Sequence, residues 1–469
     1  MTVRLYNTMT REVENFKTIE PNKAKLYTCG LTVYSQPHIG NWVGYVYWDI
    51  LVRMLQASGY EVDRTQNYTD VGHLVSDDDN GEDKMEKGAR AEGITAWDVA
   101  EKYIKIAEDE GYAQLGLIRP NLYRATDYIE QQIAFVKALQ EKGYTYEIPD
   151  EGIYFDTSKL KEYGKLARLD IEGLEAGARV AVDGKKNITD FALWKFSPKQ
   201  QQRDMEWESP WGKGFPGWHL ECSVIARETL GDQIDLHAGG VDHIPVHHTN
   251  EIAQTEALTG KPFSAFWVHN NHLKVDGGKM SKSLGNIYTL TDIIEHGYSL
   301  AAFKLMILSK HYRTEGNFTW DILEAAQNRL NGYREMAALQ WQAIDKPAHD
   351  ATAYSKPVDA ILEALQQDMN TPEALVHLGD ASDYFKEQLV PTKDLDQFKE
   401  MLLKLDELLG LNLSDEPDIT DKQKALITER LTARTKKNWQ RSDEIRDELA
   451  KNDIAVRDTP HGPIWYRTK

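Results

Sequence analysis

Two short segments, far apart in the chain, set the strongest limit on how it can fold. Pro37-His38-Ile39-Gly40-Asn41 lies near the start and Lys279-Met280-Ser281-Lys282-Ser283 in the middle. Their separation is what a nucleotide-binding sheet split by an insertion requires. The first segment follows a strand signal, Lys25-Leu26-Tyr27-Thr28-Cys29, and precedes a helical pattern in which Val43, Tyr47, Ile50, Leu51, Met54 and Leu55 recur up to Gly59. A second strand is predicted from Glu61 to Gln66, so the chain opens as a βαβ unit. The start of that helix faces the loop after the first strand, where free N–H groups and the helix dipole favour a phosphate.

A length of 469 residues predicts two to four domains. No run approaches the roughly 18 apolar residues of a membrane span. The first residues, Met-Thr-Val-Arg-Leu-Tyr-Asn, form no basic-then-apolar leader, and a cytoplasmic protein with no membrane partner is expected. A net charge of −19 argues against a surface built for non-specific nucleic-acid binding. Residues 421–469 differ, with 12 Lys and Arg against 8 Asp and Glu, which suits a partner that touches only part of the surface. Between about 122 and 205 the chain reads as an insertion, with a helix from Asp127 to Lys142 and a strand over Gly152-Ile153-Tyr154-Phe155. Strand and helix alternate again from Gln233-Ile234-Asp235-Leu236-His237, the pattern is helical from about 320, and Ser414 to Asp421 forms a charged linker. The acidic stretch 77–84 lacks the spacing of a calcium loop and reads as a solvated loop.

Four groups of residues can carry chemistry. In the first, His38 at a helix start and Lys282 on a Ser- and Gly-flanked loop can stabilise charge building on a phosphate. Gly40 would let adenine or ribose approach closely. In the second, Cys29 and Cys222, the only two cysteines, join His247 and Glu251. The last two are i and i+4, so a helix puts them on one face. Two thiols, an imidazole and a carboxylate suit zinc. His243 and His248 compete with His247 for that place, and two unrelated buried thiols are the plainer alternative. The third group is Gly217-Trp218-His219-Leu220-Glu221-Cys222 with Asp235-Leu236-His237-Ala238-Gly239-Gly240 and Asp242, placed to suit a site at the carboxyl edge of a parallel sheet. The fourth is Arg434, Trp439, Asp443 and Asp458 with nearby Lys436 and Lys437, a mixture of base-stacking and hydrogen-bonding types that suits single-stranded RNA, with an ordinary amphipathic helix bearing a partly exposed Trp as the plainer alternative.

The His-Ile-Gly-Asn and Lys-Met-Ser-Lys-Ser pair resembles the two signatures of class I aminoacyl-tRNA synthetases. Cys29, the Gly217–Cys222 run and His247-His248-Thr249-Asn250-Glu251-Ile252-Ala253-Gln254 resemble the cysteinyl branch of that class, and the likeness runs from Leu5-Tyr6-Asn7-Thr8 to Gly462-Pro463-Ile464-Trp465. The resemblance implies an α/β fold in which a split Rossmann catalytic domain (1–121 and 206–272) carries a connective insertion (122–205). It further implies a stem-contact segment (273–325), an α-helical bundle (326–415) and a small C-terminal anticodon-binding domain (416–469).

The activity implied is ligation of L-cysteine to tRNA(Cys) through an adenylate made from ATP. One zinc ion would sit on Cys29, Cys222, His247 and Glu251, with the substrate thiolate as an added ligand. Magnesium would accompany ATP, and the chain would act as a monomer. His38, Asn41, Lys279 and Lys282 would serve catalysis. Gly40, Asp235, His237 and Gly239 would join His38, Asn41 and Lys282 in holding ATP. Thr69, Asp70, Trp218 and Asp242 would line the amino-acid pocket, and Arg434, Trp439, Asp443 and Asp458 would meet the anticodon. Asn41 stands where many class I enzymes have His; its amide can still donate to phosphate but carries no charge. A paralogue joining cysteine to an amino-sugar, or a non-catalytic RNA-binding paralogue, would share much of this pattern.

Overall fold

Strands Lys23–Thr28 (β1), Glu61–Tyr68 (β2), Asn121–Arg124 (β3), Ile234–Gly240 (β4) and Ser264–Asn270 (β5) form one sheet in the order β5-β4-β1-β2-β3, every neighbouring pair parallel. The coordinates are a computed structural model that describes residues 2–74, 83–169, 184–198, 203–281, 284–350 and 352–468. The chain grows outward from β1 to β3, then returns to place β4 on the other side of β1. This reversal opens a crevice at the carboxyl ends of β1 and β4, where parallel α/β sheets bind ligands.

Helix α1 (Ile39–Ala57) follows β1 and is buried along most of its length, including Trp42, Val46, Ile50 and Leu51. It starts four residues earlier than the apolar pattern announces. Asn41 caps it, the side-chain Oδ1 accepting the His38 backbone N–H at 2.9 Å.

Between β3 and β4 lies an antiparallel sheet of Thr145–Ile148, Gly152–Phe155, Phe191–Phe196 and Gly214–Pro216. Its last strand lies beyond 205, in the Pro- and Gly-rich stretch. That strand has a single neighbour, the place where a sheet tolerates proline. Two helices, α2 (Trp218–Leu230) and α3 (His247–Thr259), then flank β4 in sequence.

After β5, Leu273–Val275 pairs in parallel with Gly316–Phe318 around the Lys279–Ser281 loop. Asn286 holds that loop, accepting from the Ser281 N–H at 2.8 Å and donating to Lys279 O at 3.2 Å. Helices α4 (Leu300–Leu308), α5 (Trp320–Ala337), α6 (Thr352–Gln366), α7 (Thr371–Gln388) and α8 (Leu395–Leu409) follow. The last unit, α9 (Asp421–Thr435), α10 (Trp439–Ala450) and a hairpin of Ile454–Thr459 with Gly462–Arg467, has its own core of Ile427, Ile445, Leu449, Ile454 and Trp465.

Most of the acidic stretch 77–84 lies outside the described residues, but its last two are not loop. Asp83 is buried, accepts the Gly72 and Met85 N–H groups, pairs with Arg203 at 2.7 Å, and caps the helix Lys84–Glu92.

Candidate active site and metal centre

Two cavities meet at the sheet's carboxyl edge. The larger, about 700 Å³, is lined by His38, Gly40, Asn41, Gly239, Lys279 and Met280 among others. The smaller, about 420 Å³, is lined by Thr69, Trp218, Glu221, Cys222 and His247. Cys29, His38, Asn41 and Asp242 line both.

The larger cavity has the form of a nucleotide cleft. His38 is half-buried, and burial holds its imidazole below the ordinary range, so it is neutral at pH 7. Its Nδ1 has no hydrogen-bond partner among the described residues. A Cβ on Gly40 would reach 2.2 Å from the Met280 methyl, so the glycine lets the Lys279–Ser281 loop close against α1. Lys282 and Ser283 lie outside the described residues.

Two of the residues assigned to ATP are not brought to this cleft. Asp235 is the second residue of β4, at the opposite end of the strand. Its carboxylate accepts the Ile19 and Lys25 backbone N–H groups at 2.6 and 2.7 Å. His237 is fully buried, stacked on Trp267 at 4.6 Å, with Nε2 at 2.8 Å from Glu251 Oε2. It lines neither cavity and stands behind Glu251.

Beside the smaller cavity, one donor atom each from Cys29, Cys222, His247 and Glu251 lies within 4.8 Å of the others. Cys29 comes from the end of β1, Cys222 from the first turns of α2, and the i, i+4 pair from α3. His247 Nε2 is 3.4 Å from Cys222 Sγ and 3.0 Å from Glu251 Oε1. A tetrahedral zinc with bonds of about 2.0–2.3 Å has donor–donor edges of about 3.3–3.8 Å. Glu251 Oε1 is buried and makes no well-aligned hydrogen bond among the described residues, with the His247 imidazole beside it, which leaves it able to take a cation. The four residues therefore fit zinc.

Cys29, His237, His248 and Glu251 form a second grouping of the same tightness. The first grouping is favoured because Cys29, Cys222 and His247 line the cavity, whereas His237 and His248 do not. A metal that meets a substrate needs an open position. His219, His248 and His269 stand behind the ligands and orient them, as metal sites require, whereas His243 lines both cavities. His219 Nδ1 is 3.0 Å from His247 Nδ1, His248 Nε2 is 3.2 Å from Cys29 Sγ, and His248 Nδ1 is 2.8 Å from His269 Nε2. Burial alone would raise the Glu251 carboxyl, but His237 and His247 hold it down to about 2. His248 is lowered to about 4 by burial.

A family model described as the class I (C) tRNA synthetase catalytic domain matches residues 15–328, and one described as the cysteinyl-tRNA ligase anticodon binding domain matches 416–467. The chain is 44% identical over 468 residues to cysteine–tRNA ligase 1 of Burkholderia lata, covering 98% of this chain and 96% of that protein. It is 38% identical over 499 residues to the cysteine–tRNA ligase of Treponema denticola, covering 100% of both. The chain belongs to the cysteine–tRNA ligase family. The fold is also shared with a solved methionyl-tRNA synthetase of Mycobacterium tuberculosis bound to methionyl-adenylate (TM-score 0.59, 15% identity, 84% of this chain and 93% of that one).

As a member of the cysteine–tRNA ligase family, the chain has a pocket wall that sequence reading only partly found. Trp218 lies between two imidazoles, stacked on His73 at 4.1 Å and on His247 at 4.3 Å. Lys84 Nζ is 2.6 Å from His73 Nε2, which must accept, so Nδ1–H donates to Thr32 Oγ1 at 2.7 Å. Lys84 also lines the smaller cavity and was hidden in what read as an acidic loop. Thr69 donates its hydroxyl to Glu221 Oε1. Asp70 stands one layer back, accepting the Thr126 N–H at 3.0 Å and hydroxyl at 2.6 Å. Burial pushes it up to about 6. It does not line either cavity.

In the C-terminal unit, Asp458 is clamped by Arg430 at 2.7 and 3.0 Å and approached by Arg434 at 3.4 Å. The Arg434 guanidinium lies 5.5 Å from the Trp439 ring centroid, and that ring is 55% exposed, open to a stacking partner. Asp443 is one turn further along α10 and pairs with Arg446 at 3.4 Å.

Proposed function

We propose that the chain joins L-cysteine to tRNA(Cys) in two steps. In the first, the cysteine carboxylate attacks the α-phosphate of ATP and forms cysteinyl-adenylate, and pyrophosphate leaves. ATP occupies the larger cavity with magnesium, which neutralises its β- and γ-phosphates. Neutral His38 and the Asn41 amide donate to phosphate oxygens as charge develops, while Lys279 and Lys282 hold the leaving pyrophosphate. Gly40 lets the Lys279–Ser281 loop close over the cleft, and Gly239 lets β4 pack against the His243 and His248 rings at its edge. In the second step the aminoacyl group passes to the terminal ribose of tRNA, whose anticodon end meets Arg434, Trp439, Asp443 and Asp458.

Selection of the amino acid is assigned to the smaller cavity. A pocket that senses only size gains about 1–3 kcal/mol per small group. Separating cysteine from serine by roughly 10⁴ needs about 5.5 kcal/mol. One zinc ion held by Cys29, Cys222, His247 and Glu251 would supply a soft Lewis acid that accepts a thiolate and leaves a serine hydroxyl unbound. Trp218 walls the side chain, and Thr69 and Asp242 lie within the space left for the amino-acid backbone.

The single observation that carries this reading is the convergence of those four donors beside His38, at the switch point of a parallel sheet. The experiment is pyrophosphate exchange with cysteine and with serine, combined with elemental analysis and charging of tRNA(Cys). One zinc per chain, exchange with cysteine only, and charged tRNA are expected. Equal exchange with serine, or full activity without zinc, would overturn the amino-acid assignment.

A further inference from the structure

We propose that Glu221 receives the α-ammonium group of the amino-acid substrate on its Oε2 atom. This rests on the reading above, in which the substrate thiol lies at the Cys29, Cys222, His247 and Glu251 centre. In cysteine the α-nitrogen is three bonds from the sulfur, a reach of about 3–4 Å. The ammonium must then sit inside the smaller cavity, close to Cys29 and Cys222, and needs hydrogen-bond acceptors there.

Few side-chain oxygens that line this cavity are both buried and uncommitted. Asn67 Oδ1 already accepts the Gly30 N–H at 2.8 Å. The Thr69 hydroxyl is turned to Glu221, and Asp242 is exposed at the mouth shared with the nucleotide cleft. Glu221 lies next to Cys222 in the first turn of α2 and is 2% exposed. Its Oε1 accepts from Thr69 Oγ1 and, at 3.2 Å, from Asn67 Nδ2. Its Oε2 is buried with no hydrogen-bond partner among the described residues. A buried carboxyl with one oxygen doubly satisfied and the other bare is a group held in place for a missing donor. An ammonium of the substrate supplies one. The Asn67 bridge to Gly30 also ties this carboxyl to the backbone that follows Cys29.

Glu221→Gln tests the proposal in the full-length, zinc-loaded chain. The amide keeps an acceptor for Thr69 and Asn67 and puts an N–H donor where Oε2 was, which repels an ammonium. The KM for cysteine in pyrophosphate exchange is expected to rise at least ten-fold. The inhibition constant of 3-mercaptopropionate, which is cysteine without its amino group, should stay within two-fold, as should zinc content and the KM for ATP. Equal rises for cysteine and 3-mercaptopropionate, or no rise for either, would overturn the proposal. So would a selective loss seen with Asp242→Asn and not with Glu221→Gln. If Glu221→Gln does not fold, Glu221→Asp, which withdraws the carboxylate by one carbon, is read by the same ratio. Absence of cysteine-dependent exchange in the unaltered chain would instead remove the underlying reading, and this proposal with it.

Discussion

Cys222 sits where two demands meet, packing in the core between α2 and α3 and presenting a thiol to the cavity. Cys222→Ser removes one atom of softness and almost no volume, so the fold is expected to persist. Zinc content and cysteine activation should fall together, and discrimination against serine should shrink toward the size-only limit of about 1–3 kcal/mol. Elemental analysis beside paired exchange assays reads both losses. His38 gives a cleaner catalytic test. The α1 cap runs from the Asn41 side chain to the His38 backbone, so His38→Ala leaves it intact. Loss of one preorganised donor predicts a fall in kcat for exchange of about 10²–10³-fold, with zinc content unchanged.

Among the elements, α10 carries Trp439, the exposed ring that we propose meets the anticodon. Trp439→Ala should raise the KM for tRNA(Cys) by roughly 5–150-fold, equivalent to the 1–3 kcal/mol of one stacked base, and leave cysteine-dependent exchange unchanged. Charging kinetics beside exchange kinetics separate the two effects. The sequence made the βαβ opening and the Gly152–Phe155 strand legible, because apolar spacing and Gly punctuation are local signals. It also made the pairing of His247 with Glu251 legible, since helical spacing alone puts positions 247 and 251 on one face. Asp235 was misplaced for a geometric reason. It sits four residues before Gly239, about 13 Å along a strand at about 3.3 Å per residue, so it stands at the wrong end of β4. The orienting roles of His237, His248 and His219 were not legible at all. They depend on which strand lies behind which helix, and periodicity does not carry that.

At the scale of the whole molecule, the catalytic sheet and the helical bundle are joined through buried polar groups, not only through apolar packing. Lys304 on α4 is buried and donates to Leu115 O at 3.2 Å and to Gly410 O, at the end of α8, at 2.6 Å. Arg53 on α1 donates to Asp406 O at 3.0 Å. Burial lowers Lys304 from the usual 10.5 to about 8. The folded state therefore disfavours its proton. The resulting cost is complete below pH 8 and disappears as pH rises toward the unfolded value. At about 1.4 kcal/mol per unit, the chain should gain about 3 kcal/mol relative to Lys304→Met between pH 7.5 and 10.5. Denaturant unfolding of both proteins across that range measures it, and parallel curves would show that Lys304 is not confined as described.

The four donors of the metal centre belong to both halves of the split sheet, with Cys29 on one side of the insertion and Cys222, His247 and Glu251 on the other. Roughly 190 residues separate the two cysteines. At the ribosome, about 5–20 residues per second puts on the order of 10–40 s between their synthesis. The proposed sulfur-reading centre is thus a clasp that can close only after the whole insertion has been made. On the proposed reading, a chain cut short before Cys222 bears the loop of His38 and still lacks the donors that would tell cysteine from serine.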